Sequence, residues 1–216
     1  MPCLDLVQYY AFFENYYIDN TFKLDMSFDF ETKISAKFIN GKTVVINPKM
    51  QNILTERGFG DLENDVLILD SFETLYLLYN HKLELKKINK NIIFDELIQT
   101  YIQKNDDTLI RFLLYRDLRT KGYAVKDGFG FGSDFRVYER GTYGTKDAKF
   151  VVFAFNEGTQ QKIGKLYKNI IEITKMGKEP IVAVIERRGE IIYYKLNKMN
   201  FSENTSEFHM KDFEFN

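Results

Sequence analysis

Two carboxylates and a lysine in the second half of the chain have the types and order of groups that could act on a phosphodiester. Asp134 is followed by Asp147-Ala148-Lys149, which together have the form of an Asp…(Asp/Glu)-x-Lys pattern. In metal-dependent nucleases the carboxylates of such a pattern bind Mg²⁺. Because the pattern is short and common, we keep a metal-dependent nuclease that uses Asp134, Asp147 and Lys149 as one alternative.

Glycines alternate with phenylalanines in the segment Gly128-Phe129-Gly130-Phe131-Gly132, a spacing that could cradle a phosphate. Phosphate-binding loops of this kind stand before a helix, whose N-terminal N–H groups complete the site. Here the segment lies between two predicted strands, so that helix N-terminus is missing. The pattern therefore predicts a β-turn rather than a phosphate loop.

The charge of the chain is unevenly distributed. The net charge of the 216 residues is −1, which argues against a general nucleic-acid coat. Residues 1–110 hold 11 Lys and Arg against 17 Asp and Glu, a net charge of −6, whereas residues 111–216 hold 19 against 14, a net charge of +5. We therefore expect a polyanionic partner to contact the second half.

The cysteine content and the hydropathy indicate an intracellular protein. Cys3 is the only cysteine, so no internal disulfide can form and a reducing compartment is expected. No stretch approaches the ~18 uninterrupted apolar residues that a membrane span requires. The N-terminal residues are acidic and aromatic and lack the basic region of a secretory signal. We expect a cytoplasmic protein with no membrane partner.

The first half of the chain has the signals of a small helix and sheet domain. Asn40-Gly41, between two β-prone runs, predicts a type I′ hairpin. Asp70, followed three residues later by Glu73, predicts a capping box at the start of a helix. The other predicted elements of this half are a helix at about 49–56, a strand at 66–69, a strand that begins at Leu83 and a helix at about 94–104.

The second half alternates helices and strands. A helix predicted at 108–121 has one apolar side, and Arg111, Arg116, Arg119 and Lys121 are expected on its outward side. Residues 150–155 are apolar or aromatic without exception, which predicts a central strand that is buried on both faces. The remaining predicted elements are strands at 123–126, 133–139, 181–186 and 190–196 and a helix at about 159–176.

These elements predict an α+β fold in two parts. A small N-terminal helix and sheet domain is expected at residues 34–107, and an α/β domain with a mixed sheet at residues 108–197. Residues 1–33 and 198–216 are expected to be extensions of the two ends.

Several segments resemble, in the same order along the chain, those of the archaeal tRNA-intron endonuclease family. Residues 115–126 (YRDLRTKGYAVK) resemble its helix–strand signature, and residues 127–138 (DGFGFGSDFRVY) resemble the continuation. The other similar segments are 56–60, 71–78 and 181–195. The resemblance covers about residues 33–197, and an ordered set of motifs is more specific than any one of them.

The resemblance implies RNA cleavage by a nuclease domain without a metal or another cofactor. In the family, a 2′-hydroxyl attacks the adjacent phosphate and leaves a 2′,3′-cyclic phosphate and a 5′-hydroxyl. This step needs a base, an acid and a cation, which the family supplies as Tyr, His and Lys. The Tyr falls on Tyr138 and the Lys on Lys178, but the position of the His is occupied by Asp147.

Asp147 is expected to leave this copy of the site inactive. An ordinary carboxylate is ionised at neutral pH and cannot donate a proton as an imidazolium does. Neither His81, in the first half, nor His209, in the tail, is placed to replace the missing group. The alternative is an active endoribonuclease with a remodelled site in which Asp147 is buried and protonated, although Lys146 and Lys149 favour the carboxylate.

The family also gives an inactive copy a role, as the structural subunit of an assembly with two catalytic and two structural subunits. The edge of the final strand, at 190–196, would pair with a catalytic subunit in a heterodimer that assembles to a heterotetramer. In the family an acidic loop docks the opposite dimer, and Asn156-Glu157-Gly158 is the candidate for it here.

The implied substrate is a pre-tRNA whose intron is bounded by a bulge-helix-bulge. Bulged bases are exposed, so side chains can stack on them and cations can hold the adjacent backbone. We predict RNA contacts from four arginines of the second half, which are Arg136, Arg140, Arg187 and Arg188. A free-standing RNA-binding module without an enzyme partner is a further alternative.

Overall fold

Two β-sheets with helices packed against them make up residues 33–196, apart from 131, 159, 161 and 162, which are the residues that this computed structural model describes. The predicted α+β class is confirmed, because a helix and sheet region is followed by a region with a mixed sheet. Within these residues, no helix has both the length and the apolar composition to cross a membrane.

The first sheet has six strands, two of which the sequence does not predict. The strands are β1 (Ile34–Ile39), β2 (Lys42–Val45), β3 (Asp61–Glu63), β4 (Val66–Leu69), β5 (Leu83–Lys87) and β6 (Lys90–Ile92). Their order in space is β3-β4-β2-β1-β5-β6, and only β1 and β5 are parallel neighbours. Three residues are too few for a periodic pattern, which explains why β3 and β6 escape prediction.

Three helices accompany this sheet: α1 (Pro48–Glu56), α2 (Ser71–Tyr79) and α3 (Phe94–Ile102). Two local sequence signals determine the turn between β1 and β2 and the start of α2. Asn40 and Gly41 both have positive φ, 50° and 82°, and form the predicted type I′ turn between β1 and β2. The Asp70 carboxylate accepts the N–H of Glu73 (2.8 Å), and the Glu73 carboxylate accepts the N–H of Asp70 (3.0 Å), so the predicted capping box at the start of α2 is confirmed.

The second sheet has five strands with the order β11-β10-β9-β8-β7. The strands are β7 (Ala124–Asp127), β8 (Phe135–Tyr138), β9 (Phe150–Asn156), β10 (Glu179–Ile185) and β11 (Ile191–Lys195). The sheet is mixed, since β9 and β10 are parallel and the other neighbours are antiparallel. The predicted central strand is confirmed as β9, in which Val151, Val152 and Phe153 are buried.

Helices cover both faces of the second sheet. Helix α4 (Thr108–Thr120) lies on one face, where the rings of Tyr115 and Phe135 meet at 5.6 Å. Helix α5 (Ile163–Lys175) connects β9 to β10 and covers the other face, where Ile173 joins a buried apolar cluster with Val151 and Phe153. Because neighbouring residues of a strand face opposite sides, β9 contributes to both layers.

The expectation for Arg119 is wrong, because this side chain lies in the core rather than on the outward side of α4. It is 3% exposed. Its guanidinium donates to the carbonyl oxygens of Arg57 (3.1 Å) and Tyr123 (3.3 Å) and lies 3.7 Å from the centroid of the Phe59 ring. Helical periodicity cannot show that another part of the chain covers that side of the helix.

A buried ion pair joins the two halves of the chain. The Lys126 ammonium, on β7, donates to the carboxylate of Glu73, on α2 (2.9 Å), and to the carbonyl oxygen of Gly60 (2.7 Å). Burial has the largest single effect and lowers the pKa of Lys126, but Glu73, Tyr143 and Asp61 together raise it, and the net shift is upward. The other oxygen of Glu73 accepts the N–H groups of Gly60 and Asp70, so this carboxylate is fully engaged.

Candidate functional site

The pairing of three strands brings Tyr138, Asp147 and Lys178 to one end of the second sheet. Phe150, the first residue of β9, is paired with Val137 of β8 on one side and with Glu179 of β10 on the other. Tyr138 follows Val137, Lys178 precedes Glu179, and Asp147 lies three residues before Phe150. Residues that are separate in the sequence are therefore neighbours at this end of the sheet.

Lys178 is held next to the segment that contains Asp147. Its ammonium donates to the carbonyl oxygen of Ala148 (2.8 Å), the residue after Asp147. The same ammonium lies 5.1 Å from the centroid of the Phe129 ring. The side chain is half-buried, so the cation is partly shielded from water at a fixed place.

Tyr138 is packed against a second tyrosine. Its half-buried ring meets the ring of Tyr143 edge-on, with centroids 4.9 Å apart. Burial raises the pKa of Tyr143, although Lys126 opposes this effect. The Tyr143 ring in turn lies against Gly58, where a Cβ would come within 3.2 Å of the ring. The position of the Tyr138 ring therefore depends on a residue of the first half.

Asp147 is exposed and, among the described residues, makes no ion pair that would fix its carboxylate. Its carboxylate has no hydrogen bond or ion pair within the described part of the chain. The alternative of a remodelled site requires Asp147 to be buried, whereas the structure exposes it.

The carboxylates of the metal-site alternative are not gathered around one point. Asp134 pairs with Arg111 (2.9 Å) and accepts the N–H of Ala154 (2.7 Å), so both of its oxygens are engaged. Lys149 forms an ion pair with Glu139, which lowers the pKa of that carboxyl group. No cluster of three or more metal-ligating side chains occurs among the residues described. This geometry does not favour a Mg²⁺ site.

The four arginines predicted to contact RNA fall into two groups. Arg136 lies on β8 with its guanidinium 5.3 Å from the Phe129 centroid, and Arg140 follows β8 with its guanidinium 5.2 Å from the Tyr123 centroid. Arg187 and Arg188 are exposed in the turn after β10. Lys178 lies at the start of β10, so this turn is on the order of 25–30 Å away at the usual rise of a strand.

Strand β11 lies at an edge of the second sheet, as the sequence predicts, with β10 as its one neighbour among the described strands. The hydroxyl of Tyr193 donates to the carboxylate of Asp117 on α4 (2.5 Å), which anchors the strand to the helix. Burial and this carboxylate raise the pKa of Tyr193. On the other face of β11, Ile192 and Tyr194 are exposed.

The candidate acidic loop makes contact within its own chain. The Glu157 carboxylate accepts the N–H of Arg187 (3.1 Å), next to the turn between β10 and β11.

Sequence reasoning missed two contributors to the site, which are Phe129 and Tyr143. The glycines around Phe129 signal a tight turn, but neither residue has a local signal that reveals its contacts with cations or with Tyr138.

Both halves of the chain match models of one protein family. Residues 35–98 match the tRNA intron endonuclease N-terminal domain, and residues 108–193 match the tRNA intron endonuclease catalytic C-terminal domain. The first match covers the six-stranded sheet except for Ile34, and the second covers the five-stranded sheet up to Tyr193.

Curated relatives give the same result over most of their length. The tRNA-splicing endonuclease of Methanococcus maripaludis is 30% identical over 164 residues, which cover 76% of this chain and 93% of the relative. The tRNA-splicing endonuclease of Thermococcus onnurineus is 28% identical over 152 residues, which cover 70% of this chain and 88% of the relative. The two family models together cover both sheets and most of the chain. The chain therefore belongs to the tRNA intron endonuclease family.

Proposed function

We propose that this chain is a structural, non-catalytic subunit of an archaeal-type tRNA-splicing endonuclease in the cytoplasm, and that a second kind of subunit cleaves the RNA. The substrate is a pre-tRNA whose intron is bounded by bulge-helix-bulge sites. The products carry 2′,3′-cyclic phosphate and 5′-hydroxyl ends. Membership of the family supports the substrate class, and the side chain at position 147 supports the division of labour.

The exposed carboxylate of Asp147 is the observation that carries the proposal. It stands at the position for which the family supplies an imidazole, at the same end of the sheet as Tyr138 and Lys178. The leaving oxygen would receive no proton from this carboxylate, and general acid catalysis is worth ~10²–10⁴-fold in rate. A negative charge beside a phosphate also opposes the charge that develops during the reaction.

The exposed edge of β11 supports association with another subunit. An edge strand presents unpaired N–H and C=O groups, which a strand of a second chain can pair with. The contact between Tyr193 and Asp117 holds this edge in place. We propose a heterodimer with the catalytic subunit that assembles to a heterotetramer, with residues 34–107 and 108–197 as the two domains of this chain and residues 1–33 and 198–216 as its extensions.

The proposal is tested by cleavage of an intron-bearing pre-tRNA in the presence of EDTA. The assay uses this chain alone, a candidate catalytic subunit from the same source alone, and the two together. We expect cleavage to require the mixture. Cleavage by this chain alone in EDTA would overturn the proposal, and cleavage by this chain that EDTA abolishes would support the metal-dependent alternative.

A variant of Tyr138 shows which chain performs the chemistry in the mixture. Tyr138→Phe removes the hydroxyl that the family uses as a base, and the ring can still pack against Tyr143. We expect the mixture to cleave RNA at the wild-type rate with this variant. A loss of cleavage on the scale of general base catalysis, ~10²–10⁴-fold, would assign the reaction to this chain. RNA binding with no cleavage in any mixture would favour the free-standing module.

A further inference from the structure

The turn between β5 and β6 has an isoleucine where glycine is the usual residue. Lys87 and Lys90 are paired across the two strands, so Ile88 and Asn89 form a two-residue loop. Ile88 has a φ of 56°, whereas Asn89 is not among the residues with positive φ. Positive φ at the first loop position alone is the pattern of a type II′ turn, in which that position is usually glycine. Because a β-branched side chain crowds the backbone in this conformation, Ile88 is retained at an energetic cost.

The side chain of Ile88 is in contact with water rather than with its own domain. It is 88% exposed, which is the highest value among the exposed large apolar side chains of the described residues. Packing within the chain therefore does not offset the cost of its backbone conformation. Backbone strain of this kind concentrates at sites where a protein contacts a ligand or a partner. The position indicates that Ile88 contacts another molecule.

The charges around Ile88 indicate the kind of surface that it fits. Lys90, after the loop, pairs with Glu96 (2.9 Å), whereas Lys87 is exposed and forms no ion pair with a described residue. A nucleic acid is bound by several cations together, and its unpaired bases stack on aromatic side chains or arginine. One aliphatic side chain beside one uncompensated cation instead fits an apolar protein surface that is bordered by carboxylates.

The opposite edge of the same sheet has the complementary pattern. Strand β3 has β4 as its one neighbour among the described strands, and all three of its residues are exposed. Leu62, in its centre, is 63% exposed, and Asp61 and Glu63 precede and follow it. The ion pairs of these two carboxylates, with Lys126 (3.5 Å) and Lys42 (3.6 Å), are long, and each uses one carboxylate oxygen. This edge is therefore an apolar surface bordered by negative charge.

One copy of the chain cannot bring these two edges together. Strands β3 and β6 are the first and the last in the order of the sheet, which places them about 24 Å apart at the usual spacing of strands. We propose that Ile88 of one copy packs on Leu62 of a second copy, with Lys87 beside the carboxylates of Asp61 and Glu63. Because two different patches meet, the contact is heterologous and continues from copy to copy.

This self-association goes beyond the proposed function and does not depend on it. The contact uses the two edges of the first sheet and leaves β11 free for a catalytic subunit. Two small patches bury little surface, so the association should be weak and should depend on protein concentration. Attraction between Lys87 and the two carboxylates is screened by salt, so the association should also weaken at high ionic strength.

Sedimentation velocity of the full chain over a series of concentrations gives the Kd of self-association. Ile88→Gly removes the apolar anchor and supplies the residue that the turn prefers. We expect self-association about tenfold weaker, because the anchor is lost. We also expect a Tm about 1–4 °C higher, because glycine adopts positive φ without strain. The matched control is Met176→Gln, which removes an exposed apolar side chain from the second half of the chain, and its Kd should stay within about twofold of the wild-type value.

An exchange of charges tests whether the two edges meet each other. Lys87→Glu gives a chain in which both edges are acidic, and Glu63→Lys gives a chain in which both are basic. Each variant alone should associate about tenfold more weakly than the wild type, because like charges face each other. In an equimolar mixture opposite charges face each other again in both kinds of contact, so the Kd should return to within about threefold of the wild-type value.

Several outcomes would overturn the inference. These are a wild-type chain that stays monomeric at every concentration, an unchanged Kd in Ile88→Gly, or an equimolar mixture that associates no better than its two components. A lower Tm in Ile88→Gly would show that the side chain stabilises its own domain instead. A monomeric wild-type chain that binds a catalytic subunit more tightly than Ile88→Gly does would assign the anchor to that subunit, and a selective loss of pre-tRNA affinity in Lys87→Glu would assign it to RNA.

Discussion

Replacement of Lys126 by methionine should destabilise the whole fold, because it breaks a buried ion pair from one side. The side chains of Lys126 and Glu73 are 4% and 1% exposed, and their charged atoms are 2.9 Å apart. Methionine retains most of the volume of the aliphatic stem but leaves the Glu73 carboxylate without its cation and the carbonyl of Gly60 without its donor. Removal of one partner of such a pair costs ~3–5 kcal/mol.

The loss should depend on pH in a defined direction. Burial raises the pKa of Glu73, and Lys126 opposes this effect, so the variant raises that pKa further. A carboxyl group whose pKa is higher in the folded state than in the unfolded state favours folding below its ordinary pKa, and this contribution is lost as the pH rises through the folded pKa. The deficit of Lys126→Met should therefore be smaller at acid pH than at pH 8.

Urea denaturation followed by circular dichroism measures the difference, and a thermal scan should show a Tm lower by about 6–20 °C. The matched control is Lys86→Met, which removes the same group from an ion pair with Glu84 whose two side chains are 48% and 43% exposed. That pair should contribute at most ~1 kcal/mol. A loss below ~1 kcal/mol for Lys126→Met, or an equal loss for the two variants, would refute the reasoning.

Three further predictions concern the site and the edge strand. Asp147→His supplies the missing acid and should raise cleavage of pre-tRNA by this chain in EDTA by up to ~10²–10⁴-fold, whereas an unchanged rate would mean that the imidazole position alone does not limit the site. Tyr193→Phe should weaken the anchor of β11 by ~1–2 kcal/mol, visible as faster amide hydrogen exchange in that strand and not in β9; uniform exchange would contradict the anchor. Lys149→Gln should return the pKa of the Glu139 carboxyl group upward toward its ordinary value in an NMR titration, and no change would show that the ion pair is not formed in solution.

The features of the fold that could be predicted from the sequence depend on residues within a few positions of each other. The turn at Asn40-Gly41 follows from the backbone preferences of two residues, and the capping box from Asp70 and Glu73. The burial of Arg119 could not be predicted in this way, because it depends on Arg57 and Phe59, which come from the other half of the chain.

The same distinction between nearby and distant residues holds for the candidate site. The positions Tyr138, Asp147 and Lys178 follow from the resemblance, and their roles stay predictions, but their proximity follows from the pairing of β8, β9 and β10. A sequence pattern could not show that Arg136 and Lys178 both lie against the ring of Phe129. Nor could it show that Arg187 lies at the far end of the sheet. Strand register, rather than composition, decides which cations can serve one ligand.

The carboxylate of Glu73 links the two halves of the chain. One oxygen completes the start of α2 within the first half, and the other accepts the ammonium of Lys126 from the second half. Neither half can leave the other without exposing or stranding a charge, so the two sheets should unfold together as one cooperative unit. Separation of the halves onto two chains, by gene splitting or by exchange with a relative, would have to conserve this pair or replace both of its members at once.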